Sequence, residues 1–131
     1  MRYTLDTNTL IYFFKGMGNV ASNLLATAPS EIGISSIVLY ELESGIARSR
    51  DPRKRTRQLE ELSSVITVIS FRWREARQAG KIRALLEKQG RLIGPYDILI
   101  AATAMANNAI LVTHNTKEFR RIRGLKTVDW F

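Results

Sequence analysis

Residues 3–9 read Tyr3-Thr4-Leu5-Asp6-Thr7-Asn8-Thr9. A short apolar run ends on a carboxylate, and three helix-capping residue types follow at once. This is how a buried strand hands over to a helix, with Thr7 or Asn8 as the expected cap. The same alternation continues along the chain. Helical periodicity runs to about Lys15 and is broken at Gly16 and Gly18, then resumes over 19–27. Ile32-Gly33-Ile34 reads as a strand before Ser35-Ser36, which cap a helix to about Arg48. Asp51-Pro52 starts another helix, with proline where its missing N–H does no harm. Residues 65–69, Val65-Ile66-Thr67-Val68-Ile69, are β-branched and read as a buried strand. A long helix is expected over 72–89, a turn over 90–94, a helix over 95–107, a strand over 109–113 and a last edge strand over 125–128. Strands alternating with helices predict an α/β fold with parallel βαβ units and right-handed crossovers. No linker or repeat interrupts the pattern, so residues 1–131 read as one domain.

Three acids lie in or beside these apolar segments. Asp6 closes the first run, Glu41 lies inside Ile37-Val38-Leu39-Tyr40-Glu41-Leu42, and Asp97 opens Asp97-Ile98-Leu99-Ile100-Ala101-Ala102. A carboxylate taken out of water is strongly disfavoured unless it is paired, hydrogen-bonded or metal-bound. Each has a structural reading: Asp6 as a helix cap, Glu41 in a buried ion pair or on a rotated helix, Asp97 as a favourable charge in a first helical turn. At about 100° per residue, Glu41 shares a face with Ile37, Val38 and Gly45, while Glu43 points away to solvent. The stripe from Asp97 runs through Ile100, Ala101 and Ala104, a face that should pack on the sheet. In open parallel sheets, sites form beyond the carboxyl ends of strands. Asp6 and residues 113–115 stand at such ends and can converge. Together the three acids offer an all-oxygen set suited to Mg²⁺ or Mn²⁺.

Composition narrows the partners. Twenty Lys and Arg against twelve Asp and Glu give a formal charge of +8, a balance that favours polyanions, nucleic acid first. Arg48, Arg50, Arg53, Lys54, Arg55 and Arg57 form one basic group; Arg120, Arg121, Arg123 and Lys126 form another. The second follows Asn115 and is the preferred set for positioning RNA. Cysteine is absent, which excludes disulfides, thiolate catalysis and cysteine-based zinc sites. The single histidine, His114, excludes an acid–base pair of histidines and is expected at the surface. No membrane-length apolar stretch and no signal-like start are evident, so a soluble cytoplasmic protein is expected. Tyr12, Phe13 and Phe14 cannot all face one core, and part of that run is expected to lie under another chain. Trp73 and Trp130 are expected to pack.

Five stretches, taken together and in order, resemble the PIN-domain ribonucleases, and among them the VapC toxins of type II toxin–antitoxin pairs. They are Leu5-Asp6-Thr7-Asn8; Ile34-Ser35-Ser36 with Tyr40-Glu41-Leu42 and Gly45; Gly94-Pro95-Tyr96-Asp97 with Ile100-Ala101-Ala102; residues 111–119 from Leu111 through Thr113-His114-Asn115 to Phe119; and residues 124–130 from Gly124 to Trp130. The resemblance implies a PIN-like α/β/α sandwich with a central, mainly parallel sheet. It implies Mg²⁺-dependent RNA hydrolysis, with Mn²⁺ as substitute and transfer RNA as a plausible substrate. Asp6 and Asp97 would be direct ligands, and Glu41 would bind through water or position the nucleophile. Asn115 stands where the family often has a fourth acid, which leans the reading toward one tightly held ion. Glu118 is the remaining candidate for that role. Asn8 and Thr113 would orient the carboxylates. A VapB-like antitoxin and a homodimer are the implied partners. Two other classes stay open: a non-catalytic nucleic-acid-binding module with a degenerate site, and an aspartate phosphatase for which Asp6-Thr7-Asn8-Thr9 is a near miss.

Overall fold

The computed structural model describes residues 1–131. Five strands form one sheet: β1 (Tyr3–Leu5), β2 (Ile32–Ser35), β3 (Thr67–Ile69), β4 (Ile110–Val112) and β5 (Thr127–Val128). All four pairings are parallel, in the order β3-β2-β1-β4-β5. The helices are α1 (Thr7–Lys15), α2 (Val20–Leu25), α3 (Ser36–Ala47), α4 (Pro52–Ser63), α5 (Trp73–Lys88), α6 (Pro95–Ala106) and α7 (Thr116–Phe119), with a 3-10 turn at Pro29–Glu31 before β2. The chain steps outward from β1 to β2 to β3, then returns across the sheet to β4. Right-handed crossovers therefore put α1–α4 on one face and α5 and α6 on the other, giving an α/β/α sandwich. The order reverses between β1 and β4, so a crevice opens beyond their carboxyl ends.

The core follows from this layout. Leu5, Ile34, Leu111 and Val112 of the inner strands are fully buried. Helix α6 is apolar nearly all round, with Ile98, Ile100, Ala101, Ala102, Thr103 and Ala104 all buried. A helix with that composition belongs inside a fold, and its small side chains let α5 lie along it. Residues from both helical layers join the strands in one cluster of 23 buried side chains.

Three local expectations are corrected. The 65–69 segment is no buried strand: Val65 lies in the turn after α4, and in β3 only Ile69 is buried. The reason is its place at the sheet edge, where β-branched residues keep one flank open. The α1 cap is neither Thr7 nor Asn8. Asp6 itself caps the helix, its Oδ1 accepting the Thr9 N–H at 2.9 Å. Trp73 does not pack into the core and is 75% exposed. The buried stripe of α5 runs through Glu75, Ala79, Ile82 and Leu86, and Trp73 is two residues, about 200°, off it; the Arg77 guanidinium lies over its ring at 5.4 Å. Trp130 does pack, against Tyr3. In the Tyr12–Phe14 run no ring is fully exposed. Tyr12 is covered by Phe131 of the same chain, ring centroids 5.0 Å apart, while Phe13 and Phe14 lean on each other at 5.6 Å.

Candidate active site

Asp6 ends β1 and is held from two sides. Its backbone N–H donates to the Val112 carbonyl of β4 at 3.1 Å, and its carboxylate caps α1. Thr9 ties the same corner together, its hydroxyl donating to Val112 O at 3.2 Å. Capping engages Oδ1, and the Thr113 hydroxyl also bears on the carboxylate. The side chain is buried, and burial raises its pKa against the lowering effect of the nearby Thr113 and Thr9 groups. Thr113, fully buried at the end of β4, also accepts the Asn115 N–H at 3.0 Å, so it fixes the turn that carries Asn115.

Glu41 enters from α3. Ser35 caps this helix by accepting the Val38 N–H at 3.1 Å, which sets the rotation of every later residue. Val38 and Leu42 are buried, Glu43 is exposed, and Glu41 is half-buried. Its Oε1 accepts a hydrogen bond from the Thr7 hydroxyl at 2.6 Å, linking α3 to the start of α1. Gly45 leaves open space one turn on. Beside Glu41 lies an apolar groove of about 320 Å³, walled by Ile11, Phe14, Leu42 and Ile46, with Lys15 and Arg55 at its rim.

Asp97 enters from the first turn of α6. Gly94 precedes it, and a Cβ there would stand 3.3 Å from Asp97 Oδ2. A glycine thus lets the chain pass close behind the carboxylate. The Asp97 carboxyl is pushed up to about 6, first by burial, then by the negative charges of Asp6, Glu118 and Glu41. Four acids from β1, α3, α6 and α7 therefore share one field, although they are far apart in sequence.

Glu118 was underweighted by sequence reasoning. It sits in α7, and Asn115 Nδ2 donates to its Oε2 at 3.1 Å. Asn115 thus orients an acid. The spacing of three along a helical turn was the available signal. Thr7 and Thr9 were also missed; they make the hydrogen bonds expected of Asn8, whose side chain is exposed. The basic residues divide. Arg121 donates to the Leu92 carbonyl at 3.0 Å. Arg123 lies with Lys81 and Gln78 near Met105, about 12 Å along α6 from Asp97 by helical rise. Arg120 is exposed. His114 is exposed and bonds Asp129 through Nδ1 at 2.9 Å.

Whether these residues fit a cation can be judged from their chemistry. No three acidic or histidine side chains stand close enough to enclose an ion directly. Mg²⁺, however, commonly keeps several waters and takes only one or two carboxylates. The donor set is all oxygen, and its mutual repulsion at Asp97 is what a bound cation relieves. Glu75 is the contrast: it is buried, but it accepts the Arg72 N–H at 2.9 Å and the Asn107 amide at 3.1 Å, and so is a satisfied structural acid.

A family model for the PIN domain matches residues 3–125. The tRNA(fMet)-specific endonuclease VapC of Shigella flexneri is 36% identical over 130 residues, covering 99% of this chain and 98% of that protein. Ribonuclease VapC2 of Rickettsia felis is 39% identical over 132 residues, with the same two coverages. Among solved structures, the matched chain of VapBC2 from Rickettsia felis, bound to a DNA fragment from their promoter, superposes with a TM-score of 0.92 at 38% identity and covers 100% of both chains. The matched chain of DNA-bound VapBC from Salmonella typhimurium gives 0.93 at 34% identity, covering 100% of this chain and 99% of that one.

Proposed function

We propose, for a chain that belongs to the PIN-domain family, that the crevice beyond β1 and β4 is the catalytic centre of a divalent-metal-dependent endoribonuclease. The protein is an endoribonuclease toxin of the VapC kind, and a VapB antitoxin is its partner. The observation that carries the site assignment is the convergence of Asp6, Glu41, Asp97 and Glu118 at the topological switch point of a parallel sheet.

Asp6 and Asp97 are the residues that would hold Mg²⁺ or Mn²⁺, with Glu41 and Glu118 completing the shell through water. Such an ion supplies positive charge at the phosphate being cleaved and makes water a better nucleophile. The chain's own residues do the rest. Thr7 holds Glu41 with one oxygen engaged, leaving the other to accept a proton from an attacking water. Thr113 and the α1 N-terminus favour the ionised form of Asp6 and so oppose the upward pull of burial on its pKa. Asn115 aims Glu118. The exposed guanidiniums of Arg120 and Arg123 add salt-dependent attraction for the RNA backbone.

Transfer RNA is the proposed substrate class, since one relative is a tRNA(fMet)-specific endonuclease. The apolar groove beside Glu41, with its basic rim, is the proposed seat of the antitoxin, whose docking there would close the site. No helix is long and apolar enough to cross a membrane; we place the protein in the cytoplasm, as a single PIN domain that pairs as a homodimer. Mn²⁺ titration by calorimetry tests the metal assignment. Binding to the wild type that is lost in Asp6→Asn and Asp97→Asn supports it; equal binding by all three refutes it.

A further inference from the structure

Tyr40 and Tyr96 each stand one residue before an acid of the site, Glu41 and Asp97. They come from different elements, α3 and α6, 56 residues apart, yet they meet. Their ring centroids are 5.6 Å apart with planes at 64°, and their hydroxyls are 3.4 Å apart. Despite this contact they are 54% and 43% exposed. An edge-to-face pair uses one edge and one face and leaves other ring faces to the solvent. The pair therefore forms an apolar shelf at the lip of an otherwise acidic crevice, joining the two elements that carry Glu41 and Asp97.

We infer that the Tyr40–Tyr96 pair is a base-stacking subsite that takes an unpaired nucleobase of the RNA beside Glu41 and Asp97. The inference rests on the endoribonuclease reading above and deepens it. Acids beside the scissile phosphate give the chain no grip on a base, and the basic residues grip phosphates without regard to sequence. A nucleobase offers a flat π-face, and stacking on exposed tyrosine rings is the interaction that fits these surfaces. Only an unstacked base can use it, so the substrate is single-stranded or loop RNA, and the same sequence in a duplex is excluded. The occupant is argued from continuity with the site: the shelf adjoins Glu41 and Asp97 in sequence and in space, in a chain of charge +8.

The test measures binding with the full chain in excess chelator, where no cleavage intervenes. The probe is a single-stranded oligoribonucleotide of mixed sequence carrying 2-aminopurine, with its duplex form as control. Stacking is read as fluorescence quenching and affinity as anisotropy, at one fixed salt concentration. Tyr40→Ala and Tyr96→Ala are expected to lose the quenching and weaken single-strand binding about 5- to 150-fold per stacked base. Tyr40→Phe and Tyr96→Phe are expected to keep both, because the ring faces remain. In metal, the alanine variants should raise KM more than they lower kcat. Both sites are exposed, and melting curves matching the wild type exclude a folding artefact. Alanine variants that bind single strands like the wild type overturn the subsite. So do phenylalanine variants as weak as alanine, or alanine variants that lose only antitoxin capture. A wild type that cleaves no RNA in either metal overturns the endoribonuclease reading instead.

Discussion

Replacing Asp97 by asparagine is expected to stabilise the chelated protein at pH 8 while removing its response to Mn²⁺. The Asp97 carboxyl stands near 6 instead of the ordinary 3.8, because it is part-buried and faces Asp6, Glu118 and Glu41. A group whose pKa is raised by folding binds more protons in the native state than in the unfolded chain. Stability is then greatest below about 3.8 and falls as pH rises through about 6, above which the ionised side chain bears the full cost. Taken whole, that displacement is worth about 3 kcal/mol. Asp97 is only half-buried, and water screening leaves about 1 kcal/mol. For 131 residues this raises the melting temperature of Asp97→Asn by about 3–5 °C at pH 8, with the gain vanishing near pH 4. Mn²⁺ at about 100 times its Kd should then stabilise the wild type by about 2.7 kcal/mol and leave the variant unchanged. The assay is thermal denaturation by circular dichroism at both pH values, with chelator and with Mn²⁺. A variant that melts at or below the wild type at pH 8 in chelator would refute the reasoning, since the carboxylates would then not repel one another.

Other expectations follow from the same geometry. Mn²⁺ affinity should fall about tenfold between pH 7 and pH 5 through protonation of Asp97, as read by calorimetry, because a ligand must lose its proton to bind. Thr7→Val should remove the hydrogen bond to Glu41 and lower kcat about tenfold while changing stability by about 1 kcal/mol or less, as read by RNA cleavage and melting. Gly94→Ala should press on Asp97 Oδ2 and weaken Mn²⁺ binding without unfolding the chain, since Gly94 has φ −54°. Glu75→Ala should destabilise by about 1–3 kcal/mol in urea denaturation, leaving the Arg72 N–H and the Asn107 amide without their acceptor.

Much of the fold was legible because strand and helix periods alternate cleanly, and because Asp6, Glu41 and Asp97 are costly in apolar runs. Local capping was less legible. Asp6, Thr7 and Asn8 are all capping types, and only the path of the chain decides that Asp6 takes the Thr9 N–H. The order of strands was not legible either. Residues 65–69 have the composition of an inner strand, yet β3 lies at the edge, and nothing local distinguishes the two. Glu118 is the instructive case for the site. Its charge reaches Asp97 because β4 returns beside β1 and α7 follows at once. Asn115 drew attention by its position, whereas its amide serves Glu118. Arg123 shows the converse: it is near Asn115 in sequence but lies by Met105, toward the other end of α6.

The most direct test is cleavage of total and transfer RNA by antitoxin-free protein, in Mg²⁺, in Mn²⁺ and in excess chelator, beside Asp97→Asn. Discrete fragments that require metal and vanish in the variant are the expected result. Cleavage that persists in chelator or in the variant, or intact RNA in every lane from folded protein that binds Mn²⁺, would contradict a metal-dependent nuclease built on these carboxylates.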